Sequence, residues 1–302
     1  MSNPSETRHM TAPQVDLVLD VRAALGEGPV WHVGEQRLYW VDIPAGNVHV
    51  HDPHGEPDRV YGVGQMVGAA VPRRAGGLVL AAHQGLGTYD LERSEFTLLA
   101  APEQHLPDNR FNDGKCDPRG RFWAGTLSMV RQPRNAHLYC LDTDHTLRHM
   151  LGDVTTSNGL AWSLDARTMY YIDTPTRQVS AFDYDAETGE ISNRRTIIAF
   201  PPGVGRPDGM TIDAQGRLWI AHWDGGRISR WDADSGRQLQ EIPLPVTNVT
   251  SCAFGGVNLD RLYITTARQG LTDEQLREQP HAGGLFALTP GVAGLPAHEY
   301  LG

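Results

Sequence analysis

The chain has 302 residues, among them 33 glycines and 20 prolines, a density of helix breakers that excludes a helical bundle and suits frequent turns between short strands. Its formal charge of −10 lacks the basic face that nucleic acid or an anionic membrane would require. Hydrophobic residues make up 40 % of it, enough for a large core, yet no run approaches the ~18 apolar residues of a membrane span.

The opening MSNPSETRHM has no apolar core of a secretory signal. Residues 1–13 read as a disordered leader or expression remnant, and residues 14–302 as one domain. Residues 15–20 (VDLVLD) alternate as a strand does. From Glu27 onward one unit recurs six times: EGPVWHVGEQRLYWVD, then VGAAVPRRAGGLVLAA from Val67, DGKCDPRGRFWAGT from Asp113, NGLAWSLDARTMYYID from Asn158, DGMTIDAQGRLWIAH from Asp208 and SCAFGGVNLDRLYITTA from Ser251. The apolar markers Leu38, Leu78, Phe122, Met169, Leu218 and Leu262 are 40 to 49 residues apart, the period of a four-stranded propeller blade. Segments such as NVHVHD at Asn47 and QVSAFDYD at Gln178 supply further strands. The expected fold is therefore all-β, a six-bladed β-propeller. The strand at 15–20 is expected to close it as the outermost strand of the last blade, removing an exposed edge. One helix interrupts the pattern at residues 272–278, with Thr272 as N-cap.

The first strands of a propeller line its axis, so matching positions in the six repeats converge there. The residue before each opening small residue reads Glu27, Val67, Asp113, Asn158, Asp208 and Ser251, with Asn112 beside Asp113. Strand propensity does not ask for Asp and Asn. Carboxylates crowded at a channel mouth repel one another unless a cation lies between them. Glu27, Asn158 and Asp208 offer only oxygen, which suits one divalent ion such as Ca²⁺, Mg²⁺ or Mn²⁺, with Zn²⁺ and Fe(II) not separated from these. By contrast Asp117, Asp165 and Asp213 occupy distal hairpin turns and read as turn residues.

Among the 13 histidines, His49, His51 and His54 read as solvated blade-edge residues, while His83 and His222 sit near the channel in packing roles. The three cysteines, Cys116, Cys140 and Cys252, match neither a zinc pattern nor a disulfide framework and read as reduced, buried thiols of a cytoplasmic protein. No GxSxG or HExxH motif supports a serine nucleophile or a zincin.

Across nearly the whole chain after the leader, and most closely in RFNDGKCDPRGRFWAGT, SNGLAWSLD, PDGMTIDAQGRLWIA and TSCAFGG, the sequence resembles the senescence marker protein / regucalcin / gluconolactonase family. That resemblance implies a six-bladed propeller with one divalent metal near its axis and hydrolysis of sugar lactones. Its metal ligands correspond to Glu27 in LGEGP, Asn158 in SNGLAW and Asp208 in PDGM, with Asp208 also the general base. Its substrate-facing Arg and Asn correspond to Arg110 and Asn112. The chain departs from the family where regucalcin-like members carry acidic residues, placing Ser128, Met129 and Val130 there. A preference for gluconate- or pentonate-derived lactones fits equally well. The expectation is thus a metal-dependent lactonase, a monomer or weak homo-oligomer, acting on a small sugar lactone with no nucleic-acid or membrane partner. The proton acceptor is either Asp208 or the metal's own water chemistry. The alternative is a non-enzymatic calcium-binding regulator.

Overall fold

The computed structural model describes residues 13–55 and 57–302, so the reading of the leader falls almost wholly outside the described residues. Six four-stranded antiparallel sheets stand in a ring, each running outward from a first strand at the axis. The first strands of blades one to six are Gly26–His32, Val67–Pro72, Asn109–Cys116, Ser157–Trp162, Arg206–Ile212 and Val249–Gly255. In blade three the strand begins at Asn109, ahead of the expected start at Asp113, so Arg110 and Asn112 lie within it.

Both faces of each blade are covered by its neighbours, which explains runs such as LVLAA that are apolar without alternation. Hydrophobic clusters fill all six blade–blade interfaces. The six apolar markers of the repeat lie within them or beside them and are at most 1 % exposed. The outermost strands, such as Arg237–Pro243, are mainly exposed and polar.

The ring closes as expected. Asp16–Leu19 pairs antiparallel with Leu285–Leu288 as the outer strand of blade six, which joins the two ends of the chain in one sheet. The helix Asp273–Glu278 is opened by a capping box in which Thr272 and Gln275 bond each other's backbone N–H. The C-terminal tail was not foreseen. It crosses the lower face, bonding Leu259 of blade six, Ala214 of blade five, Pro72 and Arg74 of blade two and Gly120 of blade three through backbone groups. Among the described residues no helix is long and apolar enough to cross a membrane.

The turn reading of Asp117 and Asp213 understates them. Both are 0 % exposed, and each anchors the hairpin of its blade in the same way. Asp117 accepts from the backbone N–H of Arg119 and Arg121, from Arg121 Nε at 2.7 Å, from Trp123 Nε1 at 2.9 Å and from the Tyr184 hydroxyl at 2.7 Å. Asp213 accepts from Gln215 and Arg217 N–H, Trp219 Nε1 at 2.9 Å and Arg230 Nε at 2.7 Å. Asp165 is an exposed turn residue held by Ser163 and Arg167, as expected.

His49 and His51 are not solvated edge residues. His49 stacks on Trp40 with ring centroids 4.0 Å apart and bonds Asp58 at 2.9 Å, while His51 packs edge-on to Tyr263. The third strand of a blade is still sandwiched between neighbouring blades, so both its faces are buried; only His54, in the following turn, is exposed. All three cysteines are buried and unpaired, as expected.

His222 is a buried packing residue with one workable tautomer. The Val204 carbonyl can only accept, so Nδ1 carries the proton of the neutral ring, and Nε2 accepts from the Ser229 hydroxyl, whose oxygen accepts from Trp231. Burial holds its pKa below the ordinary 6.5. Below pH 6.5 the unfolded chain therefore takes up a proton that the fold resists, and stability falls as pH drops through that window. His222→Gln removes this titration. The stability difference between parent and variant, read as Tm from pH 8 to 5, should shrink on the acid side.

Candidate functional site

Glu27, Asp113, Asn158 and Asp208 meet at the bulged ends of their first strands. In all six blades the register between first and second strands slips at this end of the ladder, as at Glu27/Val30, Asn158/Leu160 and Pro207/Met210. A bulge re-aims the side chain it carries. Here it lets Glu27, Asp113, Asn158 and Asp208 converge at the axis, all at most 4 % exposed. The small residue that follows is required by crowding. A Cβ on Gly159 would lie 2.8 Å from the Asp208 carbonyl oxygen and 2.9 Å from Met210 Cβ, so adjacent first strands nearly touch.

Hydrogen bonds orient the two amides. The Thr174 hydroxyl donates to the Pro207 carbonyl at 2.8 Å, so its oxygen accepts from Asn158 Nδ2 at 2.9 Å. This turns Asn158 Oδ1 the other way, where Asn112 Nδ2 meets it at 3.2 Å while also donating to the Ser157 carbonyl at 2.8 Å. Asn112 Oδ1 in turn accepts from Arg110 Nη1 at 2.9 Å, which also donates to the Phe111 carbonyl. Arg110 therefore first positions Asn112. Its other guanidinium nitrogens have no protein partner among the described residues and remain for a ligand. A cleft of about 300 Å³ opens beside Arg110, with half-buried His83 on its wall.

The electrostatics are unbalanced. Glu27, Asp113 and Asp208 are buried, while the cations placed against them are Arg110 and Lys115 within the channel and the solvent-exposed Arg206 near Asp208. Burial raises the pKa of all three carboxyls, and neighbouring carboxylates add to this at Glu27 and Asp208. Burial lowers the pKa of Arg110 and Lys115, opposed by the carboxylates they face. Asp208 Oδ1 and Asp113 Oδ2 are buried with no hydrogen-bond partner, a cost that native interiors rarely bear without a ligand. An excess of negative charge with unpaired oxygens fits a hard divalent cation. Among the described residues no three His, Cys, Asp or Glu side chains are grouped so as to hold a metal ion by themselves, and Asn158 Oδ1 adds an amide oxygen beside the carboxylates.

Glu27, Asn158, Asp208, Arg110 and Asn112 thus belong to one buried network. The sequence reading gave Asp113 no role and missed Lys115 and Thr174. Lys115 was legible in principle, because it lies two residues beyond Asp113 on one strand and so shares its face. Thr174 follows a second strand and left no comparable signal.

The family model described as the SMP-30/Gluconolactonase/LRE-like region matches residues 25–268. Regucalcin of Danio rerio is 42 % identical over 296 residues, covering 97 % of this chain and all of that protein. The putative sugar lactone lactonase YvrE of Bacillus subtilis is 41 % identical over 275 residues, covering 90 % and 94 %. The crystal structure of a calcium-binding protein, regucalcin, from Agrobacterium tumefaciens superposes with a TM-score of 0.90 at 26 % identity, covering 96 % of this chain and 97 % of that one. A match across four-fifths of the chain, with full-length relatives at about 40 % identity and the same ring of blades, establishes that this chain belongs to the SMP-30/gluconolactonase/LRE-like family.

Proposed function

We propose that the chain hydrolyses sugar lactones to aldonic acids, with Glu27, Asn158 and Asp208 holding one divalent ion and Asp208 also acting as general base. The observation that carries this reading is the buried oxygen cluster at the axis, with Asp208 Oδ1 and Asp113 Oδ2 unpartnered and the Asn158 amide fixed among them by Thr174 and Asn112. The name of the Bacillus relative, a putative sugar lactone lactonase, supports the reaction class. The donor set is all oxygen and suits Ca²⁺, Mg²⁺ or Mn²⁺.

When bound, the ion supplies Lewis acidity at the lactone carbonyl oxygen. The chain's own residues do the rest. Asp208 Oδ1 takes a proton from water as the water oxygen bonds to the carbonyl carbon. The ring C–O bond then breaks, and the ring oxygen leaves as a hydroxyl carrying that proton. Arg110 and Asn112 hold the sugar hydroxyls, and Asn112 is itself held by Arg110 and the Ser157 carbonyl, so the substrate meets a preorganised partner. Met129 and Val130, 41 % and 61 % exposed, stand where regucalcin-like members carry acidic residues.

The test is hydrolysis of a panel of hexono- and pentonolactones by chelated protein before and after addition of Ca²⁺, Mg²⁺ or Mn²⁺. Turnover should appear only with metal. Metal-induced stabilisation with no turnover on any lactone would favour a calcium-binding regulator instead. Thr174→Val adds a second expectation. It frees Asn158 to rotate and should weaken metal binding roughly 10- to 100-fold, the usual cost of losing a residue that orients a ligand. Calorimetry of metal binding reads this directly.

A further inference from the structure

The channel changes character along its length. Above, the first strands present the acidic cluster. Below, the same six strands present Val30, Val71, Lys115, Ala161, Thr211 and Phe254 around a cavity of about 320 Å³. The C-terminal tail crosses this mouth, with residues 295–298 forming part of its wall. Leu164 and Leu295 line the cavity and are also 55 % and 40 % exposed, so apolar surface runs from the interior out to solvent. Wall atoms facing such a space lack dispersion partners, and apolar cavities accept apolar guests in preference to water.

The unmatched polar groups here are donors. Lys115 Nζ gives one proton to the Met210 carbonyl at 2.6 Å, and its other two N–H have no hydrogen-bond acceptor among the described residues. Asp113, two residues up the same strand, attracts the ammonium from the channel side. Trp162 also lines the cavity, is 5 % exposed, and its indole N–H has no partner. No Asp or Glu lines this space among the described residues. A sugar would set its hydroxyls against valine, leucine and phenylalanine, which is costly. The complementary ligand has an apolar body and one anionic acceptor.

We propose that the lower end of the channel binds a medium-chain carboxylate, its head on the Lys115 ammonium and its alkyl chain in the apolar cavity beside the C-terminal tail. This site is separate from the lactone site and does not depend on the lactonase reading.

The probe is decanoate, titrated calorimetrically into the full chain with chelator present, so that no metal at the upper end competes for the carboxylate. Decanol and decyltrimethylammonium serve as neutral and cationic comparators. Decanoate should bind one per chain and roughly 10-fold or more tighter than decanol, the advantage expected of a charge-assisted contact, while the cation should not bind. Lys115→Met keeps the stem's bulk and should remove that advantage while leaving decanol binding unchanged. Leu295→Asp lies on exposed surface and should weaken both ligands, so it decides the matter even if the Lys115 variant fails to fold. No saturable decanoate binding below its micelle concentration, equal affinity for decanoate and decanol, or unchanged decanoate binding in Leu295→Asp would each overturn the proposal.

Discussion

Asp208→Asn is expected to lower turnover on an aldonolactone by roughly 10²-fold or more at saturating metal, the usual span for loss of a general base. The substitution keeps the volume and one carbonyl oxygen, so metal affinity should fall only moderately. It also removes a charge that the fold holds at a cost. The Asp208 pKa is raised by burial first and then by Glu27 and Asp113. A carboxyl whose folded pKa is raised contributes its full stability below the unfolded value, near 3.8, and loses it as pH rises through the folded value. As pH rises above the unfolded value the metal-free parent gives up that stability and the Asn variant does not. Chelated Asp208→Asn should therefore melt above the chelated parent, with the gap closing toward acid. A variant that is inactive yet more stable is the signature of strain held for function. Near-native turnover at saturating metal would show that Asp208 is a ligand only.

Asp117→Ala should be among the most destabilising single changes in the molecule. It strips acceptors from Arg121, Trp123 and Tyr184 and from two backbone N–H groups at once. The Arg121 side chain, 4 % exposed, would keep its charge with the paired carboxylate gone. Breaking a buried pair on one side costs about 3–5 kcal/mol. For a chain of this size that is a fall in Tm on the order of 10 °C, measurable by calorimetry. Asp117→Asn keeps one acceptor and the volume, so it should lie between parent and Ala. Because Asp117 sits in the distal hairpin, KM for the lactone should stay near the parent value in whatever fraction remains folded. A loss under 1 kcal/mol would mean that the aspartate only shapes its turn.

The blade count, the strand order, the closing strand at 16–19 and the helix cap were all legible in the residues, because each is a local pattern repeated or bounded by turn chemistry. The gathering of Glu27, Asn158 and Asp208 was legible for the same reason: equal register in equivalent strands means convergence at a common axis. The rest depended on neighbours that no local pattern names. His49 and His51 look polar and peripheral in a single strand, yet the adjoining blade covers them. Asp117 and Asp213 look like ordinary turn formers, and only the arrival of Trp, Tyr and Arg side chains from other segments makes them anchors. Thr174, which orients Asn158, and Lys115, which stands between the acidic upper channel and the apolar lower one, acquire their roles from carbonyls of blade five, at Pro207 and Met210. Repetition encodes which strands meet; the contacts between blades, set by packing in three dimensions, decide which polar atoms are satisfied and which are left free for a ligand.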